Sequence, residues 1–357
     1  EIVLKDTRPT PDQTIYHDPS NYEDSVAWIN DDAQMPQLKV ELLPKYAKLK
    51  MSWRMTIKYS RNHSGAADQF PRDKAKILNA NQAWEIFKDY GTEQSANGQQ
   101  IPVVRGGEAT ISFELVGKTS GTYSFHIRGK NPTIAKVRTY CSGKPWYLLA
   151  IAKHEAGKSP EDRTRLKQFN QKASNTWGKG AADIKFTPNR SGDGGFGLMQ
   201  LTTLYSVSRG ASKQEIWSWK ENLERAQKEM VDEYIPAATA QLLVERNEAR
   251  DDEPKANGKP AGQDYPPTKI VSGVTFSDTS GRPMEHAAAI SLYNRGKNGV
   301  PYCEYKPHYT IPTQPTVPGE WFYDEINILF EGTPKERENN YVKNVCQEAE
   351  GTGATTP

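Results

Sequence analysis

From about residue 31 to about residue 130, apolar and polar positions alternate with a period of two. In LKMSWRMTIKY, Leu49, Met51, Trp53, Met55, Ile57 and Tyr59 share one face, and Lys50, Ser52, Arg54, Thr56 and Lys58 share the other. This is the mark of a half-buried strand. ATISFEL sets Ile111, Phe113 and Leu115 on one face, and after the turn KTSG the run TYSFHI does the same with Tyr123, Phe125 and Ile127. The two runs predict a hairpin. Residues 1–30, rich in Pro, Asp, Thr and Asn, show little periodicity and read as an extended leader.

The period changes at GKNPTIAKVRTY. There Asn131 is suited to cap a helix with Pro132 at its first position and Ile134 and Val137 at helical spacing, which makes 131–140 a connector helix. Further helices are predicted at about 145–156, 221–235, 284–295 and 336–349, and 350–357 reads as a mobile tail. Between them, ERNEARDDEPKANGKPAGQDYPPTK and VPYCEYKPHYTIPTQPTVPGE carry no period and read as long irregular stretches, which in a compact domain serve as binding walls or lids.

A length of 357 residues exceeds one average domain. The expected fold class is α+β in two domains: an antiparallel β-sandwich-like accessory domain over 31–130 and a mainly helical domain over 141–349. The sandwich is expected to position the rest and to offer a surface for a protein partner. Lys and Arg (46) nearly balance Asp and Glu (44), for a net charge of +2 with no basic block, which argues against a nucleic-acid partner. No apolar run approaches the roughly 18 residues of a membrane span, and EIVLKDTRPTPDQ lacks a signal peptide's basic and apolar regions. The three cysteines, Cys141, Cys303 and Cys346, match no metal motif and allow at most one disulfide. Neither a metal nor a cofactor is expected.

The helix PWYLLAIAKHEAG carries the first candidate for chemistry. Pro145 suits its first turn and Gly157 its end, so Glu155 falls in the last turn on the stripe of Leu148, Ile151 and Ala152. The negative end of the helix dipole and desolvation by an apolar face both disfavour a charged carboxylate there, as a general acid requires. A half-exposed glutamate at an ordinary helix end is the plainer alternative. His154 points about 100° away around the helix and reads as a satisfied or solvated histidine. In SGDGGFGLMQLT the glycines can bring bare backbone against a ligand, and Gln200 offers an amide donor and acceptor, a floor that suits a neutral sugar. The spacing does not fit the phosphate motif GxxxxGK[ST]. In AAAISLYNRG, Tyr293 and Asn294 lie in the last turn of a third helix, where the phenol could steady the acid or simply pack.

Taken in order, HEAG, GFGLMQLT, KENL, LYNRG and ERENNYVKNV resemble the ESG, GLMQ, NI/NL, AYNAG and ETRNYVKNV blocks of the soluble lytic transglycosylase family of the lysozyme superfamily. GGFGLMQ is also similar to goose-type lysozymes. The resemblance spans roughly 141–349 and not the sheet region. It implies a lysozyme-like domain and an enzyme that cuts peptidoglycan glycan strands between N-acetylmuramic acid and N-acetylglucosamine, in the periplasm or at a cell wall. It implies Glu155 as the sole acid/base, Tyr293 as its orienting phenol, Gly197, Met199 and Gln200 on the sugar side of a cleft, and Asn294 in support. Asn222 is a structural match more than a chemical one.

A hydrolytic muramidase would need a second carboxylate to activate water. Asp193 and Asp183 are the candidates; Asp193 sits near the offset where goose-type enzymes carry an aspartate, that offset holds Ser191, and a second one aligns with Thr202. This favours the lytic outcome, with hydrolysis second and a non-catalytic wall-binding or secretion-apparatus component third. The interval from Glu155 to Gly197 exceeds the compact family spacing, so RLKQFNQKASNTWGKGAADIKF is expected to be an insertion beside the cleft. Arg295 and Ala226 also depart from the family blocks.

Overall fold

A computed structural model describes residues 2–6, 26–42, 50–59, 68–70, 76–77, 84–86, 90–115, 119–155, 165–170, 186–191, 194–202, 211–251, 284–295, 303–306 and 320–323, with 341, 344, 345 and 348. The chain is α+β. Its strands are β1 (Ile2–Asp6), β2 (Val26–Ile29), β3 (Leu38–Leu42), β4 (Lys50–Lys58), β5 (Asp68–Phe70), β6 (Lys76–Ile77), β7 (Trp84–Ile86), β8 (Thr92–Gln94), β9 (Gln100–Pro102), β10 (Gly107–Leu115) and β11 (Thr119–Gly129). Helices α1 (Ile134–Tyr140), α2 (Tyr147–Glu155), α3 (Lys213–Trp217), α4 (Trp219–Glu229), α5 (Ile235–Asp251) and α6 (Met284–Arg295) follow, with a strand pair β12 (Cys303–Lys306) and β13 (Glu320–Tyr323) after them. The chain groups into two compact units, one of residues 1–136, 160–201 and 211–222, the other of 137–159, 202–210 and 223–357. The stretch 141–349 is therefore shared between both.

In the first unit β2, β11, β10, β4 and β5 form one sheet in that order, with β6 also paired to β4, while β1, β3 and β7 form another and β8 and β9 a ribbon. β10 and β11 pair antiparallel from Gly107 opposite Ile127 to Leu115 opposite Thr119, which is the hairpin read from the period-two pattern. On β4, Trp53, Met55 and Ile57 are buried while Arg54 and Lys58 are exposed. Two features differ from the expected antiparallel domain. The leader contributes two strands, and one of them, β2, runs parallel to β11. A strand of four residues carries no direction in its composition, and the long chain between β2 and β11 permits a parallel pairing that a short turn would forbid.

The core of this unit is built partly from chain far downstream of the sheet. Ile29, Met55, Ile57, Ala109, Ile111, Phe125 and Ile127 pack in one cluster with Phe169, Phe196, Ile216 and Trp217. A Cβ at Gly129 would overlap the Phe169 ring and one at Gly106 the Trp217 ring, so the two glycines are seats cut into the strand ends for those aromatics. Asn131 is used differently from the cap expected of it: its Oδ1 accepts the Phe169 N–H at 2.6 Å and its Nδ2 donates to the Phe169 carbonyl at 2.9 Å, as a strand partner would. Thr133 caps α1 instead, its Oγ1 accepting the Lys136 N–H at 3.3 Å. The Asn131 amide carries its acceptor and its donor on separate atoms, so one side chain meets both the N–H and the carbonyl of Phe169. Ser212 and Glu215 form a reciprocal capping box at the start of α3.

In the second unit α2 is buried along Tyr147 to Ala152 without interruption, so it is a core helix enclosed on all sides rather than a one-sided stripe. The helix expected to stop near 235 continues. Met230–Tyr234 forms a π turn, in which the Ile235 N–H bonds to the Met230 carbonyl, and α5 runs on to Asp251. Pro236 is the cause: it has no N–H to continue the ladder and its ring crowds the preceding turn, and the wider π turn absorbs both. Residues 245–251, expected to be irregular, are helical, because Glu, Arg and Ala are good helix formers even without an apolar period. VPYCEYKPHYTIPTQPTVPGE, also expected to be irregular, holds β12, which pairs with β13 from Cys303 opposite Tyr323 to Lys306 opposite Glu320. Of the helix expected at 336–349, the described residues Tyr341, Asn344, Val345 and Glu348 have helical backbone; the tail 350–357 lies outside the described residues. Among the described residues no helix is long and apolar enough to cross a membrane.

Candidate active site

Two groups of expected site residues are built separately, one in each unit. In the second unit, Glu155 is the last residue of α2 and is half-buried. Its Oε1 accepts the Tyr341 hydroxyl at 2.6 Å. The Tyr341 ring stands edge-on to the His154 ring with centroids 4.8 Å apart, so His154, expected to be satisfied or solvated, packs on the phenol that bonds the Glu155 carboxyl. One residue earlier, Lys153 Nζ meets Glu348 at its carboxylate, 2.7 Å, and its carbonyl, 2.8 Å. Three successive residues at the end of α2 are thus held by the 341–348 segment.

Tyr293, near the end of α6, packs its ring against Tyr234 at 5.5 Å. Its phenol is held well above the usual tyrosine range, first by burial and then by the negative charges of Glu229 and Glu155, with Tyr234 adding to them. Glu155 and Tyr293 therefore share one electrostatic environment, and the phenol stays a proton donor. Asn294, next along the helix, is exposed.

In the first unit, GFGLMQL forms a four-residue turn closed by Phe196 and Leu201, each N–H bonding to the other's carbonyl at 2.9 and 3.0 Å. Gly197 has φ +73°, and Gln200 has φ 49°, left-handed backbone that favours the first residue type and strains the second. The space left by the missing Cβ of Gly197 is filled by two amide side chains: a Cβ there would lie 2.7 Å from both Asn222 Nδ2 and the Gln168 amide. Gln168 Oε1 accepts the Leu198 N–H at 2.8 Å, and Asn222 Oδ1 accepts the Met199 N–H at 2.7 Å while its Nδ2 donates to the carbonyls of Phe196 and Glu215. The glycine thus serves internal hydrogen bonding, and Asn222 is the structural residue expected of it. Met199 is fully buried. Gln200 is half-buried and folds back, its Nε2 donating to the Gly197 carbonyl at 2.6 Å.

Asp193 and Asp183 lie outside the described residues. Ser191, at the aspartate offset, ties the adjoining glycine turn through a bond from the Gly195 N–H to its Oγ at 2.8 Å, and Thr202 is half-buried. Reading the residues missed Tyr341 and Gln168. Tyr341 lies within ERENNYVKNV, a block that carries the resemblance, whereas Gln168 lies in the expected insertion and has no such signal. Among the described residues no three of His, Cys, Asp or Glu gather as a metal site. No protein-family model, curated protein or solved structure matches the chain.

Proposed function

We propose that the chain is a peptidoglycan lytic transglycosylase that cleaves the bond between N-acetylmuramic acid and N-acetylglucosamine and leaves 1,6-anhydro ends. The observation that carries the reading is the surroundings of Glu155. A carboxyl group at the end of a buried helix accepts a hydrogen bond from Tyr341 and acts electrostatically on Tyr293, and the three residues come from three of the blocks that carry the resemblance. In this reading Glu155 protonates the leaving oxygen while the substrate's own 2-acetamido group attacks the anomeric carbon, as in substrate-assisted glycosidases. Glu155, now a base, then takes the proton from the C6 hydroxyl as that oxygen closes the anhydro ring. Tyr341 fixes the carboxyl oxygen through both steps, and the neutral Tyr293 phenol supplies a directed donor. The helical unit that holds Glu155 is then the lysozyme-like part of the chain and the sheet of the other unit a sandwich-like accessory, working at a cell wall or in the periplasm.

Digestion of purified sacculi followed by mass analysis tests this. Muropeptides with anhydro ends are expected, and Glu155→Gln should lower the rate by at least about a hundredfold, the scale of a lost general acid. Products ending in reducing sugars would assign the chain to the hydrolytic muramidases, and a fully active Glu155→Gln would remove Glu155 from the mechanism.

A further inference from the structure

Lys153 takes no part in the proposed chemistry, yet the structure gives it two bonds to a single residue. Its Nζ donates to the Glu348 carboxylate at 2.7 Å and to the Glu348 main-chain carbonyl at 2.8 Å, and 16% of the Lys153 side chain is left to solvent. An ion pair between two side chains moves with them and contributes little at a surface. A bond to a carbonyl holds the backbone itself, so Lys153 fixes the place of residue 348 and not merely its charge.

Residue 348 is one end of a stripe whose other end is in the candidate site. Tyr341, Val345 and Glu348 have helical backbone and are four and three positions apart, the spacing of one helix face. Val345, between the two polar residues, is fully buried. Seven residues of helix span about 10 Å, and at each end the stripe meets α2: Glu348 at Lys153, Tyr341 at His154 and Glu155. All of these residues belong to the second unit. Successive side chains leave a helix about 100° apart, so 153, 154 and 155 face three directions, and a segment that meets all three lies across the helix end. One fixed point would leave that segment able to swing; two set where the phenol points. A hydrogen bond weakens steeply with misdirection, so the setting matters at Glu155.

We propose that Lys153 is a positioning residue: by pinning residue 348 it holds the Tyr341 hydroxyl on Glu155 Oε1, so that the acid is oriented from the far end of the C-terminal segment. The inference rests on the lytic transglycosylase reading for its effect on rate, while the placement of the phenol stands apart from that reading.

The test uses the full chain with Lys153→Met, which keeps an aliphatic stem and loses every donor, with Tyr341→Phe, and with both. With 13Cζ-labelled tyrosine, the Tyr341 resonance, assigned by its loss in Tyr341→Phe, should move in Lys153→Met in the same direction as in Glu155→Gln. On sacculi, Lys153→Met should lower kcat about five- to tenfold with KM little changed. In the Tyr341→Phe background the same substitution should cost less than about twofold, because the bond it serves is already gone. If Lys153→Met does not fold, Lys153→Arg, which keeps the charge but replaces a point donor by a planar fork, should show a smaller shift and a smaller loss, the loss again absent beside Tyr341→Phe. Losses that multiply in the double variant, or a Tyr341 resonance that the substitution leaves in place, overturn the inference and make Lys153 a structural ion pair. A parent chain that cuts no glycan removes the enzymatic reading, and the resonance alone then decides for or against Lys153.

Discussion

Tyr341 and Glu155 stand 186 positions apart yet meet at 2.6 Å. A hydrogen bond to a charged partner contributes about 1.5–3 kcal/mol, so Tyr341→Phe should slow sacculus digestion about ten- to a hundredfold while the melting temperature moves by only a few degrees. An equal rate from the variant would leave Tyr341 as packing for His154 alone. The place of Glu155 in the last turn of α2 was legible because the helix is short and its spacing to Leu148, Ile151 and Ala152 is local. The sequence could not tell which phenol meets the carboxyl, since that depends on how α2 meets the 341–348 segment. The glycine turn shows the same limit in another form. Its left-handed backbone at Gly197 was legible from composition, but the occupant of the bare space was not: Asn222 and Gln168 fill it, from opposite sides in sequence and for internal hydrogen bonding.

Between elements, the start of α2 is joined to α6 by a titratable contact. The Trp146 indole N–H donates to His286 Nδ1 at 3.3 Å, and the Tyr147 ring meets the His286 ring edge-on at 5.3 Å. Only a neutral imidazole can accept there, and burial lowers the His286 pKa below its ordinary value of 6.5. The unfolded chain therefore takes up this proton first as the pH falls: stability from this contact is constant above about pH 6.5 and is lost progressively below it. Denaturant midpoints measured from pH 7.5 to 5 should fall, and His286→Asn, which retains an acceptor near the Nδ1 position and cannot titrate, should flatten that fall whatever its starting stability. An unchanged slope would move the acid sensitivity elsewhere. Elements were legible where one period ran uninterrupted, as in β4, the β10–β11 hairpin and α6. They were misread where a breaker is accommodated rather than obeyed. The helix expected to stop near 235 meets Pro236, and the π turn carries it past; VPYCEYKPHYTIPTQPTVPGE carries no period, yet β12 forms within it, between Pro301 and Pro307.

On the scale of the whole molecule the chain passes repeatedly between its two units, and the sheet cannot complete its core from its own segment. Phe169 and Trp217, contributed by residues 160–201 and 211–222, sit over Gly129 and Gly106, where a Cβ on either glycine would overlap the ring. The period-two pattern made the sheet legible but closed it near residue 130, because the aromatics that finish it lie in stretches with no period of their own. A fragment ending at residue 140 should therefore expose the apolar face of β4, β10 and β11, bind a hydrophobic dye and melt without a cooperative transition. Within the full chain, Trp217→Ala should cost about 3–5 kcal/mol, the scale for emptying a buried aromatic site. Because Trp217 packs on the sheet, amide exchange should quicken in β10 and β11 before it does in α2. A cooperative transition in the fragment would mean that the sheet closes on itself, and that Phe169 and Trp217 decorate a core already made.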